Sequence, residues 1–95
     1  MTTPQAGLIP AHVTRFLLLA ELCRTLGEHG CTSCLVNPAF GSAVLRVARE
    51  GRAGEWLDVG SVERGDDWVF MWERQWGPVC HMDQVARHIA RTVAR

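Results

Sequence analysis

Cysteine and histidine side chains near residues 30 and 80 have the types and spacing that suggest chemistry. Cys31 and Cys34 are separated by two residues, the spacing at which two thiolates bind one tetrahedral zinc ion. No second pair with this spacing follows, and the distant candidates for further ligands are the neighbours Cys80 and His81. Adjacent residues rarely both reach one ion, so a zinc site is an alternative and not the leading hypothesis.

The order of the predicted elements also limits what these cysteines do. In a four-strand meander Cys34 and Cys80 would lie at one end of the sheet but on its outer strands, about 14 Å apart at ~4.8 Å per strand step. A redox cysteine needs a helix N-terminus to stabilise its thiolate, whereas Cys31 follows the end of a predicted helix. We expect free thiols, although a Cys31–Cys34 disulfide stays open, and we predict no cofactor.

The sequence offers no other catalytic constellation. All ten basic residues are Arg, and the lack of Lys excludes Schiff-base chemistry and a phosphate-loop lysine. The serines lack a nucleophile-elbow context, no HExxH motif is present, and Asp66 and Asp67 lie together in a predicted turn. We therefore expect a protein that is not an enzyme.

Tryptophan supplies the remaining unusual pattern. Three of the four tryptophans lie within the segment WVFMWERQW, from Trp68 to Trp76. Aromatic residues are enriched at the centres of protein interfaces, but they also fill cores. Which of the two applies depends on the strand that carries them and on its register.

The composition of the chain indicates what kind of molecule holds these residues in place. The chain has 95 residues, 47% of them hydrophobic and 21% charged, with a formal net charge of zero, which is typical of one soluble globular domain. We expect residues 1–95 to form that domain, with residues 1–9 as a flexible tail. The apolar run Phe16 to Ala20 is too short for a membrane span and lacks the features of a signal peptide, so we expect a cytoplasmic protein that does not enter membranes.

Apolar periodicity predicts an α+β fold. Residues with a spacing of three and four predict one helix from Pro10 to His29 and a second from an N-cap at Asp83 to the end. Three strands are predicted between them, with Leu35 to Asn37 as a fourth. The three are Ala43 to Arg49, Glu55 to Val62 and Trp68 to Arg74. Short connections indicate an antiparallel meander of three to four strands. We predict two layers with both helices on one sheet face; the alternative has one helix on each face.

Hairpin loops of five residues would pair Arg49 with Glu55 and Val62 with Trp68. One face of the sheet is then aliphatic and is expected to receive the helices. Its members are Ala43, Leu45, Val47, Leu57, Val59, Ser61, Val69 and Met71. The opposite face is aromatic and charged.

This aromatic face is the predicted partner-binding surface. It includes Arg46, Trp56, Asp58, Trp68, Phe70 and Trp72. The register places Arg46 across from Asp58, Gly60 across from Phe70, and Trp56 across from Arg74. Such a face is too apolar to stay entirely in water and too charged for a normal core layer, and this combination favours an interface. The open alternative is that the tryptophans are core.

The segment Glu55 to Arg74, EWLDVGSVERGDDWVFMWER, resembles short uncharacterised actinobacterial proteins in which a tryptophan-rich strand precedes a carboxy-terminal helix. The resemblance covers about a fifth of the chain. It agrees with the high-GC origin that the all-Arg composition indicates. These proteins have no assigned function, so the resemblance implies no activity and no functional residues.

The sequence thus predicts a small cytoplasmic accessory or adaptor protein that forms a homodimer or binds a protein partner through its aromatic face. One alternative is a zinc- or thiol-based module using Cys31, Cys34 and Cys80, and another is a small-molecule binder with an aromatic pocket wall. Nucleic acid is not an expected partner, because the net charge is zero and no recognition motif is present.

Overall fold

A computed structural model describes residues 9–37 and 42–95 of the chain. Two helices flank five strands, and a short 3-10 turn precedes the second helix. The elements are α1 (Ala11–Glu28), β1 (Ser33–Val36), β2 (Val44–Ala48), β3 (Trp56–Arg64), β4 (Asp67–Trp72), β5 (Gln75–Pro78), the 3-10 turn (Val79–His81) and α2 (Met82–Val93). The predicted tail, residues 1–9, lies outside the described residues except for Ile9.

The first helix agrees with its prediction. Pro10 occupies the position before α1 and its carbonyl accepts the amide of Thr14 at 3.1 Å. Proline suits this site because its missing N–H would have no partner in the first turn. The helix ends at Glu28, and two residues later Gly30 has a φ of 81°. The Cys31 amide donates to the Leu26 carbonyl at 3.0 Å. The left-handed glycine thereby turns the chain into β1.

The sheet is an antiparallel meander of five strands in the order β1-β2-β3-β4-β5. The predicted α+β class and the antiparallel order are confirmed, but the predicted number of strands, three to four, is wrong. The register of β2 with β3 also follows the prediction, because Arg46 pairs with Asp58 and Ala48 pairs with Trp56. The alternation of burial along β2 matches a sheet with one covered face.

The predicted register of β3 with β4 is wrong by one residue. Val62 pairs with Val69, not with Trp68, because the hairpin turn contains two residues, Gly65 and Asp66, instead of five. Gly65 has a φ of 65°, which lets the chain reverse in a tight two-residue turn of the kind that fits the twist of a hairpin. Both strands continue further into the predicted loop as a result.

A shift of one residue moves every side chain of a strand to the opposite face. Trp68, Phe70 and Trp72 therefore lie on the same face as Val59 and Ser61, where β4 pairs with β3. We call this face, which holds the core, the inner face. The predicted place of these three residues on the partner-binding surface is wrong. The predicted core residues Val69 and Met71 lie on the other side, and Gly60 pairs with Met71 instead of Phe70.

A fifth strand follows where the prediction ended the sheet. Trp72 pairs with Gln75 and Met71 with Trp76, so Trp76 is part of a strand and not of a turn. The reversal occurs at Glu73, which has a φ of 51° although it is not glycine. Its carboxylate accepts a hydrogen bond from Arg49 Nη2 at 2.9 Å, which helps to hold this conformation.

One cluster of buried side chains forms the core of the described residues. Both helices and the inner face of the sheet contribute to it. Its members are Leu19, Leu22, Leu26, Ala43, Leu45, Val47, Leu57, Val59, Phe70, Trp72, Val85, Ala86, Ile89 and Val93. Burial of large aliphatic or aromatic side chains stabilises a fold by roughly 1.5–3 kcal/mol each, so this cluster dominates the stability.

The second helix begins one residue before the predicted N-cap. His81 occupies the cap position without a side-chain hydrogen bond, and Asp83 lies inside the first turn of α2. There a carboxylate still interacts favourably with the positive end of the helix. Asp83 also accepts a hydrogen bond from His29 Nε2 at 2.9 Å, which links the start of α2 to the end of α1.

Candidate functional site

The outer face of the sheet, opposite the inner face, is the candidate site. The register assigns its residues, since paired residues point to the same side. They are Cys34, Val36, Val44, Arg46, Ala48, Trp56, Asp58, Gly60, Val62, Arg64, Asp67, Val69, Met71, Trp76 and Pro78. Of the six predicted binding residues, Arg46, Trp56 and Asp58 lie on it, whereas Trp68, Phe70 and Trp72 do not.

An apolar row crosses this face over all five strands. It consists of Val36, Val44, Gly60, Met71 and Trp76, which the strand register places side by side. Val44 lies beside Gly60 when the register of β2 with β3 is extended by one residue beyond the Leu45–Val59 pair. Met71 is 45% exposed and Trp76, on the edge strand β5, is 52% exposed, values that are high for large apolar side chains. An apolar surface of this kind marks an interaction site more often than a random feature.

A stacked pair covers one corner of the outer face. The Arg64 guanidinium lies 4.4 Å from the centroid of the Trp76 ring, within the range of a cation–π contact. The register places Val69 between these two residues, and its exposure is 4%. Arg64 and Trp76 together therefore shield Val69. The sequence missed this contact because Trp76 was expected beyond the sheet.

A charged pair lies next to the apolar row. Arg46 Nε is 3.4 Å from Asp58 Oδ1, and both side chains are more than half exposed. An exposed pair of this kind contributes roughly 0–1 kcal/mol to stability. The predicted contact of Trp56 with Arg74 is not among the cation–π contacts of the described residues, in which the partners of tryptophan are Arg15 and Arg64.

Two of the aromatic residues that were predicted on the binding surface, Phe70 and Trp72, belong to the core instead. Trp72 is 2% exposed and makes an edge contact with His88, with ring centroids 5.4 Å apart. Its indole Nε1 is buried without a hydrogen-bond partner among the described residues. Phe70 is fully buried. Both side chains hold the sheet against the helices and offer no surface to a partner.

Trp68 lies at the end of the inner face and is partly buried. The Arg15 guanidinium carbon is 5.7 Å from its ring centroid, and Arg15 Nε donates to the Ser61 carbonyl at 2.9 Å. The indole is thus covered by α1. It fastens the first half of that helix to the sheet.

Two of the cysteines proposed for a zinc site, Cys34 and Cys80, lie at opposite edges of the sheet. Cys34 belongs to the edge strand β1 and Cys80 follows the other edge strand, β5. Four strand steps of about 4.8 Å separate these edges by ~19 Å, far beyond the span of one metal site. Residues 9–37 and 42–95 contain no group of three His, Cys, Asp or Glu side chains that would hold a metal ion. The four residues Cys31, Cys34, Cys80 and His81 are therefore not brought together, and all four cysteines are free thiols.

A pocket of about 190 Å³ lies between the end of α1, the end of β2 and the last turns of α2. Its lining includes His29, Cys31, Arg49 and Glu50, and no tryptophan. Burial, and to a lesser extent the charge of Glu50, raises the pKa of the Cys31 thiol. A nucleophilic or redox cysteine needs a lowered pKa, so this environment works against thiol chemistry.

A polar cluster on the helices was not predicted. His29, Asp83 and Arg87 form a chain in which Arg87 Nη2 donates to Asp83 Oδ2 at 2.7 Å. The hydrogen bond from His29 lowers the pKa of the Asp83 carboxyl, and the charge of Arg87 adds to this effect. Arg87, Arg91 and Arg95 are spaced four residues apart at the end of the chain, but Arg87 is paired with Asp83, which reduces the positive charge available for contacts with nucleic acid. The i, i+4 spacing of Asp83 and Arg87 was the available signal in the sequence.

The described part of the chain contains no helix that is both long and apolar enough to cross a membrane. We compared the chain with protein-family models, with curated proteins and with solved structures, and none of the three comparisons found a match.

Proposed function

We propose that this chain is a small non-enzymatic accessory protein that works by binding another protein chain through the outer face of its sheet. The observation that carries the proposal is the apolar row, in which Met71 and Trp76 on β4 and β5 are exposed, with exposed Val62 beside it. Burial of such side chains against a partner contributes about 25 cal/mol per Å² of apolar surface. An aromatic and apolar centre with charged neighbours is also the composition of protein interfaces.

The proposal includes a two-layer architecture in which both helices cover the inner face. It is supported by the single core cluster, in which Leu22 of α1 and Ile89 of α2 join side chains of the inner face such as Val59. In two layers the second sheet face stays open to solvent. The outer face is then free to receive a partner.

The same proposal places the protein in the cytoplasm. Cys34 and Cys80 are exposed free thiols, a state that reducing compartments maintain. The alternatives have less support. Cys34 and Cys80 are too far apart for one zinc ion, and the outer face is a sheet surface without the enclosed shape of a ligand pocket.

Site-specific photo-crosslinking in the cells that produce the protein tests this function. A photoreactive aromatic residue replaces Met71, whose exposed side chain lies in the apolar row. We expect a covalent adduct with a protein chain after irradiation, because the proposed partner contacts this position directly. The adduct is detected as a discrete band of higher mass by immunoblotting.

The matched control places the same photoreactive residue at Arg24, which is exposed on α1 away from the sheet. We expect little or no adduct from this position. A third variant carries the photoreactive residue at Val62, which is 38% exposed beside the apolar row. Equal labelling from positions 71 and 24, or no adduct from either position 71 or position 62, would contradict the proposed function.

A further inference from the structure

The outer-face residues of β2 and β3 complement one another row by row. Each of three consecutive cross-strand pairs joins residues of opposite character. The pairs are Ala48 with Trp56 (small with large), Arg46 with Asp58 (positive with negative), and Val44 with Gly60 (a side chain with none). The Val44–Gly60 pairing follows from the register of the rows on either side. At each of these three positions along the strands, the residue on β2 is therefore complementary to its neighbour on β3 in size or in charge.

Each of these rows is open to a partner. Trp56 is 43% exposed, because the side chain of its cross-strand neighbour Ala48 is too small to cover the indole. A Cβ atom built on Gly60 would meet no atom within 4 Å, so there is a free notch above its backbone. The ion pair between Arg46 and Asp58 leaves more than half of each side chain exposed.

Two identical sheets that pack face to face are related by a two-fold axis lying between them. An axis parallel to the strands and midway between β2 and β3 places β2 of one copy over β3 of the other, at unchanged height. Arg46 of each copy then faces Asp58 of the second copy. Val44 enters the notch at Gly60, and the Trp56 ring covers Ala48.

Other axes parallel to the strands do not match the charges. An axis along β3 places Asp58 against its own copy, and an axis along β2 places Arg46 against its own copy. Like charges at an interface cost several kcal/mol. The charge pattern therefore selects the axis between the two strands.

We propose that the partner of the outer face is a second copy of this chain, packed with β2 over β3 about this two-fold axis. The inference rests on the proposed function and names its partner. A symmetric dimer needs a surface that is complementary to itself, and the three rows have this property. The charged pairs set the register, while Val36, Val44 and Met71, the side chains of the apolar row on the four overlapping strands, supply most of the affinity.

The size of the face determines the strength of association. Four overlapping strands at ~4.8 Å and five residues at ~3.3 Å give a flat area on the order of 300 Å² per copy. Stable interfaces bury about 800 Å² per partner, and smaller ones are weak or transient. The dimer is therefore reversible, and its fraction depends on protein concentration.

Charge-reversal variants test the arrangement. Self-association of the purified proteins is measured by sedimentation equilibrium from about 5 to about 500 µM, a concentration range suited to weak interfaces. Arg46→Asp and Asp58→Arg each place two like-charge pairs in the interface, and each is expected to weaken self-association at least about tenfold. A mixture of the two variants is expected to form a heterodimer, because each reversed residue then faces its opposite. The double variant R46D/D58R is expected to dimerise like the wild type.

A matched control separates this effect from general attraction between oppositely charged proteins. Arg24 and Glu28 form an exposed pair on α1, and Arg24→Asp and Glu28→Arg change the net charge by the same amounts. These variants are expected to self-associate like the wild type and to gain nothing on mixing. Equal mixing effects for the two sets of variants would overturn the proposed arrangement.

Gly60→Val is a second, independent variant. Its backbone accepts a side chain and the space above it is empty, so the monomer is expected to fold and to unfold at the same or a higher temperature. The dimer is expected to weaken because the notch for Val44 is filled. Dimerisation of this variant at wild-type strength would overturn the arrangement.

The outcome also separates this inference from the proposed function. A monomeric wild type at the highest concentration, together with an adduct from position 71 to a different protein, refutes the dimer and retains the proposed function. An adduct with twice the chain mass of 10.6 kDa supports both. The absence of any adduct from both position 71 and position 62 refutes both proposals.

Discussion

Trp72 and Trp56 show how burial separates two similar residues of one sheet. Trp72 is 2% exposed and belongs to the core cluster, whereas Trp56 is 43% exposed on the outer face. Removal of a large aromatic side chain from a core costs about 3–5 kcal/mol, and a charge in the same place adds the cost of its desolvation. The same change on the surface has little effect on stability.

We expect Trp72→Arg to unfold the protein, because the combined cost approaches the whole stability of a small domain, about 5–15 kcal/mol. Trp56→Arg is expected to change the free energy of unfolding by less than about 1 kcal/mol. Urea unfolding followed by circular dichroism measures both. A folded Trp72→Arg variant that only loses self-association would contradict the core position of Trp72.

At the residue scale, three of the six predicted binding residues lie on the candidate site. Arg46, Trp56 and Asp58 are on the expected face, because β2 and β3 are joined through a loop that preserves the expected pairing. Trp68, Phe70 and Trp72 share a face as expected, but it is the inner one. The alternation of residues along a strand shows which side chains share a face of the sheet. The length of the hairpin turn sets the register, and the register decides whether that face is the inner or the outer one.

At the element scale, α2 packs tightly against the sheet at Gly77 of β5. A Cβ atom at Gly77 would lie 2.6 Å from Val85 Cγ2 and 3.6 Å from the Trp72 ring. The glycine therefore permits the helix to pack directly on the backbone of an edge strand. Its absent side chain sets the distance between α2 and β5.

We expect Gly77→Ala to destabilise the protein by about 1–3 kcal/mol, as overpacking of a core typically does. Val85→Ala removes the clashing methyl groups, so the double variant G77A/V85A is expected to be more stable than the sum of the single changes predicts, by about 0.5–2 kcal/mol. Urea unfolding of the wild type, the two single variants and the double variant gives the four free energies of this double-mutant cycle. Gly60→Ala, which adds a methyl group in open space, is the control and is expected to be neutral or stabilising.

Helices were easier to predict than strand connections. The boundaries of α1 follow from Pro10, Gly30 and the apolar period, all of which act locally. The turn from β4 to β5 contains Glu73 in a left-handed conformation, where glycine or asparagine is the usual signal. A contact with Arg49, distant in sequence, assists this turn. Local patterns carry no information on such a contact, so the fifth strand was missed.

At the scale of the whole molecule, the sheet separates the core from the proposed contact surface. Trp72 is on the inner side, while Trp56 and Trp76 are exposed on the outer side at different distances from the proposed two-fold axis. The axis lies between β2 and β3. Strand β5 therefore extends past the partner, so that dimerisation shields Trp56 and leaves Trp76 in solvent.

Quenching of tryptophan fluorescence by acrylamide, a neutral quencher, distinguishes these two positions. Trp76→Phe leaves Trp56 as the most exposed indole, and Trp56→Phe leaves Trp76 in that role. We expect the quenching constant of Trp76→Phe to fall as protein concentration rises, and that of Trp56→Phe to stay constant. The opposite pattern would place the contact at β4 and β5 instead. Constant quenching in both variants would mean that neither indole is covered by a second copy.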